Sequence, residues 1–581
     1  MIYRVITATL KSRTAVHIGS GQGNDLTDAL VRRDTQGRPF IPGTAIAGAL
    51  RSLLTRLAPR LGFEPCVVLA EDEEERKKSC QCAVCQLFGD VNPSDKEDSH
   101  SFASRILVFH AYPLHIGHPW IRDGVGIDRV TGAAARAGSV KFDLEVLPAG
   151  SEFALRMELR DVDDNPDLER LLAAGLAEWE AGRLWLGGRV ARGLGAFDLS
   201  DLEFKELPLD TPAQVLDYLK ADKPWEIATP QSKWLKDKLR SVQTRIQPVD
   251  NNLPDAVVRY WVIIKGTLQA EGPLLTNDVL VSGQSGFDHA PLLAQGGDWQ
   301  YPVLTGAGLR GVLRSHAERI ARTLTTIQAW DDTQEREQRE ELFLIGCPAC
   351  NPVEKRPDAP LASCDAVLKD AQVPSDVIVT DEHLCLACRL FGSTRRGSRL
   401  IVEDAPYAGK AAPKLKMLDF LAIDRFTGGG KDGAKFDALV LWQPAFTLRA
   451  YLENPEPWEL GWLALVLRDL QEGWLSVGFG SAKGFGRVRL ENWSATFGYL
   501  HDNDLQYLGL GVPQQPKKSG IFHMLTIQGG SEEWKQVAQP WVSKFHEMVK
   551  NFKRSDMLKL KTDSYFGKVD HLYEVIAGGG L

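Results

Sequence analysis

No stretch of this sequence is apolar for long enough to cross a bilayer. The longest candidate, LGWLALVL at 460–467, falls far short of the roughly twenty residues a spanning helix needs. The opening MIYRVITATLK lacks the charged-then-apolar layout of a signal peptide, so the expected location is cytoplasmic. An excess of basic charge is missing too. Lys and Arg number 68 against 76 Asp and Glu, a net charge of −8, which argues against nucleic acid coating every face but leaves room for a basic groove on an acidic body. Part of the acidic excess is the run EDEEE at 71–75, the pattern of a solvated loop. There is no nucleophile elbow and no H-E-x-x-H, which removes two common hydrolase readings. Cysteine is scarce and confined: all nine lie within 66–85 and 347–388.

What is present is present twice. CAVCQLFGD (82–90) returns as CLACRLFGS (385–393), and a shared C-x-x-C-x-L-F-G predicts that other phrases recur in the same order. DALVRRDTQGRPFIPGTAIAGALRSLL (28–54) is answered by DHAPLLAQGGDWQYPVLTGAGLRGVLRSHA (288–317), a strand and loop leading into a helix with Thr44 or Thr305 near its start. GIDRVTGAAARAGSVKFDLEV (126–146) is answered by AIDRFTGGGKDGAKFDALVL (422–441), which reads as a two-stranded arm with a Gly/Ala-rich crown. LGGRVARGLGAFDL (186–199) is answered by VGFGSAKGFGRVRL (477–490). Four phrases in one order mean two copies of one α+β domain, over 1–205 and 256–496. Between them, 206–255 reads as a partly helical linker, and 497–581 is an extension without a counterpart. Within the extension Trp534, Val537, Trp541, Phe545 and Phe552 fall at helical spacing and predict a packing face.

The cysteine spacing favours thiolate zinc over disulfides, since two thiolates two residues apart can clasp one side of the ion. The expected ligands are Cys66, Cys80, Cys82 and Cys85 in the first copy and Cys347, Cys350, Cys385 and Cys388 in the second, about two ions per chain. Cys364 is either a spare thiol or a ligand in place of one of those four. Four thiolates leave no open position for water, so the expected role is to staple an insertion with little core of its own.

The series H-I-G-x-G, an early loop aspartate, G-x-P-F-I-P-G-T, C-x-x-C-x-L-F-G, I-D-R-x-T-G and a terminal Gly-rich segment resembles the RAMP-superfamily backbone subunit of type III CRISPR effector complexes. Here it is fused in tandem, in the manner of the type III-D lineage. The resemblance covers about three quarters of the chain and leaves out the linker and the extension. It implies two ferredoxin-like, RRM-related domains with zinc-stapled insertions, guide RNA lying across them, and a thumb hairpin at each domain wedged into the guide–target duplex. Other effector subunits and a complementary target RNA would be the partners.

The resemblance further implies target cleavage beside each thumb, dependent on Mg²⁺ or Mn²⁺ and on an early-loop aspartate, matched here by Asp28 and Asp288. RNA carries its own nucleophile, the 2′-hydroxyl, so a domain that splays one nucleotide out of the stack supplies much of the rate by alignment. A carboxylate can then hold a hydrated cation or act as base, although an ordinary Asp, pKa ~3.9, is a weak base at neutral pH. For guide binding the expected residues are His17 in VHIGSGQG, Arg310 near the family's helix lysine, and Arg51 and Arg314 as phosphate contacts. Arg129 and Arg425 in the thumbs, and Arg189, Arg192, Lys483 and Arg487 among the terminal glycines, complete the set. The alternative is a guide-binding scaffold with one or both domains non-catalytic.

Overall fold

A computed structural model describes residues 2–554 apart from 91–100, 130–131, 136–140, 249–254 and scattered shorter gaps. Part of EDEEE, the Val130–Thr131 crown, part of the linker and residues 555–581 of the extension lie outside the described residues.

Each copy is a βαββαβ unit. In the first, strand Ile2–Ser12, helix Gly43–Leu57, strands Ile106–Val108 and Glu152–Leu159, helix Pro166–Glu180 and strand Phe197–Pro208 follow one another. The sheet runs in the order second, third, first, fourth, all antiparallel. In the second, strand Tyr260–Ala270, helix Gly306–Asp332, strands Leu400–Val402 and Ala445–Glu453, helix Pro457–Gln471 and strand Val488–Tyr499 repeat that order. First strands take the central positions because YRVITATL and RYWVIIKGTL are rich in β-branched and aromatic residues, which suit a strand paired on both edges. The helices bury one stripe each: Ile46, Leu50, Leu53, Leu54 and Leu57 in the first copy pack with Leu168, Leu171, Leu172 and Trp179. Thr305 caps its helix by accepting from Gly308 N at 3.2 Å, whereas Thr44 falls inside the Gly43–Leu57 helix.

The second sheet is extended by Phe522–Gln528 from the C-terminal stretch, and the Glu532–Asn551 helix buries Trp534, Trp541 and Phe545 against the second core. The described part of the linker is partly helical, over Pro212–Lys220 and Trp234–Gln243; its Trp234 stacks on Phe204, ring centroids 4.3 Å apart. The copies share apolar surface: Trp261, Ile263 and Tyr451 of the second sheet pack into the first core. Across this seam Arg60, fully buried, holds Asp504 through two bonds of 2.9 and 3.1 Å. No described helix is long and apolar enough to cross a membrane.

Two hairpin arms rise from this body, Trp120–Val125 with Lys141–Val146 and Leu415–Ile423 with Gly430–Trp442. The first folds down onto the second copy, where Arg122 pairs with buried Asp404 at 2.9 Å. The second projects, with Met417, Leu421, Ile423 and Phe426 exposed, Phe426 to 99%.

Candidate functional sites

Cys82 and Cys385 each stand at the N-cap of a six-residue helix, Ala83–Phe88 and Leu386–Phe391, so that C-x-x-C becomes a cap plus a first turn. The L-F-G that follows ends the helix on Gly89 and Gly392, both at positive φ. There a Cβ would strike the backbone of Ser104 in one copy and Ser398 in the other, within 3.0 Å. The repeated phrase is therefore a folding unit, and it delivers sulfurs to one point.

Cys66, Cys80, Cys82 and Cys85 are all buried with their sulfurs within 4.8 Å of one another. Cys66 lies 3.9 Å from Cys80 and 3.7 Å from Cys85. In the second copy the set is Cys350, Cys364, Cys385 and Cys388, with Cys350 3.5 Å from Cys388 and 3.9 Å from Cys364. Tetrahedral zinc with bonds of about 2.3 Å requires sulfur–sulfur edges of about 3.8 Å, against about 2.0 Å in a disulfide. Both clusters could hold a structural zinc ion.

The second set realises the alternative left open for Cys364, which stands in place of Cys347 among the expected ligands. Cys347 is outside it, buried with Phe343 and Leu344 and donating to the carbonyl of Ala349 at 3.3 Å. The missed signal is spacing: Cys66 to Cys80 and Cys350 to Cys364 are both 14 residues. A correction concerns Arg51 and Arg314, expected on phosphates. Arg51 donates to Cys85 Sγ at 3.3 Å and Arg314 to Cys388 Sγ at 3.4 Å. Four thiolates around a divalent cation carry net negative charge, and an arginine at the same place in each copy offsets it.

The loop aspartates also occupy matched positions. Asp28, exposed, accepts from the backbone N–H of Asp143 at 2.9 Å, and Asp288 accepts from that of Asp437 at 2.9 Å. Asp143 and Asp437 close the K-F-D of each arm, and a short parallel bridge, Ala29 to Leu144 or His289 to Ala438, fixes the loop there. Directly opposite on the other arm strand stand Asp123 and Asp419. Like charges facing each other across strands are unfavourable. Burial and the adjacent Asp143 carboxylate hold Asp123 above the usual carboxylate range. The sequence reading gave these four residues no role; the mark of Asp123 and Asp419 is their place five residues before I-D-R's Asp, Asp128 or Asp424, and that of Asp143 and Asp437 is the repeated K-F-D itself. Over each K-F-D phenylalanine sits a cation from the terminal Gly-rich segment. Arg189 lies 4.1 Å and Arg192 5.9 Å from the Phe142 ring, Lys483 4.2 Å from that of Phe436.

The comparisons with known proteins fall on this doubled frame. The family model described as the RAMP superfamily matches the chain in two stretches, residues 9–198 and 267–489. The chain belongs to the RAMP superfamily. A curated relative, the CRISPR system Cms endoribonuclease Csm3 of Methanothermobacter thermautotrophicus, is 26% identical over 233 residues, covering 36% of this chain and 87% of the relative. Each RAMP match encloses one loop aspartate, one cysteine cluster and one arm.

Within the RAMP copies the remaining expected contacts divide. His17 is corrected: it is buried, its Nδ1 lies 2.8 Å from the carbonyl of Glu145, and burial lowers its pKa, so no ring face is offered to a base. Arg129 is engaged by Glu318 at 2.8 Å. Arg487 pairs with Glu271 at 2.9 Å while half exposed, and Arg425 is exposed on the projecting arm. Arg310 donates to the carbonyl of Phe391, but its Nε is buried with no acceptor. Burial and the neighbouring Arg314 and Arg192 push the Arg310 pKa down, to about 9. Burial, then Arg314, does the same to Arg192. Arginines thus crowd this junction between copies, where the carboxylates of Asp404 and Glu318 are already engaged by Arg122, Arg129 and Arg314.

Proposed function

We propose that the chain is a backbone subunit of a type III CRISPR effector complex, binding guide RNA across two ferredoxin-like domains and cutting complementary target RNA at two positions. Supporting the fold reading is the strand order of each βαββαβ sheet, which is that of a ferredoxin-like unit. The proposed division is 1–205, 206–255, 256–496 and 497–581. The observation that carries the function is the duplicated site: a loop aspartate docked on an arm K-F-D, with facing carboxylates and a cation stacked on the phenylalanine.

In this reading Arg192 and Arg310 receive guide phosphates, supported by the buried Arg310 Nε, which has no acceptor among the described residues. The arms splay a target nucleotide so that its 2′-hydroxyl lines up with the adjacent phosphorus. Asp28 and Asp288 are the catalytic carboxylates. The crowded Asp123–Asp143 pair, and Asp419 facing Asp437, would supply donors to Mg²⁺ or Mn²⁺, with Asp28 or Asp288 drawn in by the ion, since without one the three carboxylates of neither copy gather to within 4.8 Å. Such a cation, when bound, offsets charge developing on the phosphate. Zinc fills the two cysteine centres and stays out of the chemistry.

A scaffold role for the second domain is favoured by one observation: Lys435 lies 3.5 Å from Asp419, offsetting a carboxylate of that site. An end-labelled target in the assembled complex decides between them. Asp28→Ala should erase one product and Asp288→Ala the other, each cut falling at least about a hundredfold with target binding retained. If Asp288→Ala leaves the ladder unchanged the second domain is a scaffold, and if Asp28→Ala does so the assignment is wrong in both halves.

A further inference from the structure

The base of the first arm's crown rests on the second cysteine centre. Asn351, next to the ligand Cys350 and 1% exposed, accepts from Arg129 N at 3.4 Å and donates to Asp128 at 3.2 Å. Arg129 Nε donates at 2.8 Å to Glu318, which is fully buried. The other oxygen of Glu318 accepts from Arg314 at 2.7 Å, and Arg314 is the residue that donates to Cys388 Sγ. From the same helix Arg322 donates to the carbonyls of Ala349 and Cys350 at 3.3 and 3.2 Å. An unbroken chain of hydrogen bonds thus runs from the sulfurs to the arm.

Among the described residues nothing equivalent exists in the first copy. Counting from the paired arginines and cysteines, Thr55 stands where Glu318 is and Val67 where Asn351 is. Arg51 still reaches Cys85, so the sulfur contact is common to both centres, while the acid and the amide that receive an arm are particular to the second.

We propose that the second cysteine centre, when metal-loaded, locks the first copy's arm in place and so positions the first candidate site, with Arg314, Glu318 and Asn351 as positioning residues. Physically, the metal fixes Cys350 and Cys388, which fix Asn351 and Arg314, and these hold the amide and carboxylate that clasp Asp128 and Arg129. Metal loss leaves the loop carrying Asn351 unanchored and Arg314 without a fixed sulfur to hold it. The first arm carries Asp123, Phe142 and Asp143, so a loosened arm takes half of the site with it.

The inference rests on the zinc reading, and the two fail separately. Hydrogen exchange on full-length protein is followed in 120–129 and 141–146, with 415–423 of the second arm as internal control, alongside zinc content. Glu318→Gln, close in shape, should speed first-arm exchange at least about tenfold, the factor that 1.4 kcal/mol makes, with both zinc ions kept. Cys364→Ala should weaken zinc binding at the second centre about a hundredfold and, once chelator has stripped that ion, loosen the first arm alike, the second arm staying as it was. Coupling between sites is reciprocal, so Arg129→Met must weaken zinc binding at the second centre by the factor with which metal slows the arm, read by chelator competition. That last variant does not disturb the cysteines and keeps the test open if Cys364→Ala does not fold. No zinc in wild-type protein overturns the zinc reading. Zinc present, with first-arm exchange unmoved by Glu318→Gln or zinc affinity unmoved by Arg129→Met, overturns the lock.

Discussion

Replacing Cys364 or Cys347 by alanine, one at a time, separates the tetrahedron seen in the structure from the two C-x-x-C pairs of the sequence. Cys364 lies 3.9 Å from Cys350 and accepts from Cys385 N at 3.4 Å, whereas Cys347 lies in an apolar cluster with Phe343 and Leu344. A structural zinc site contributes about 10–16 kcal/mol in total, so one of four thiolates is worth roughly 3 kcal/mol, about a hundredfold in zinc affinity. Removing the Cys347 sulfur forfeits apolar packing, about 1 kcal/mol, and a weak S–H bond to the Ala349 carbonyl, with zinc retained. The assay is chelator competition on native protein, with cadmium exchanged for zinc so that thiolate-to-metal absorption counts the bound sulfurs. Cys364→Ala should lower that absorption by one thiolate in eight and release metal at lower chelator; Cys347→Ala should change neither. The reverse result, zinc lost with Cys347 and kept without Cys364, would refute the geometry.

Two further outcomes follow from charge. Asp504→Asn leaves the fully buried Arg60 guanidinium without its carboxylate and should cost about 3–5 kcal/mol in the first urea transition; a loss under about 1 kcal/mol would mean water reaches the pair. Burial pulls the Glu145 pKa up, but Arg33, bonded at 2.6 and 2.9 Å, and the Val31 N–H outweigh it and leave it depressed. The stability Glu145 contributes is therefore whole above about pH 4.3 and lost as pH falls through the lower folded value. Wild type and Glu145→Gln should differ most near neutrality and converge in acid; a gap that persists at pH 2 would contradict the sign.

The duplication, the cysteine clusters, the arms and the two loop aspartates were legible in the sequence because each is a local phrase, and comparing two phrases needs no knowledge of what surrounds them. The extension's helix was legible for the same reason: Trp534, Trp541 and Phe545 share one face by spacing alone. What a side chain points at is settled by packing between segments far apart in the chain. Arg51 and Arg314 are long, cationic and on helices, which suits a phosphate equally well; only the approach of the C-x-x-C helix turns them toward sulfur. His17 reads as a glycine-loop histidine until the arm strand closes over it and takes its Nδ1. The I-D-R-x-T-G of both arms is the same text, yet one arm is clasped by Glu318 and Asn351 and the other stands free with Phe426 in solvent, because only the first has a second copy beside it to receive it.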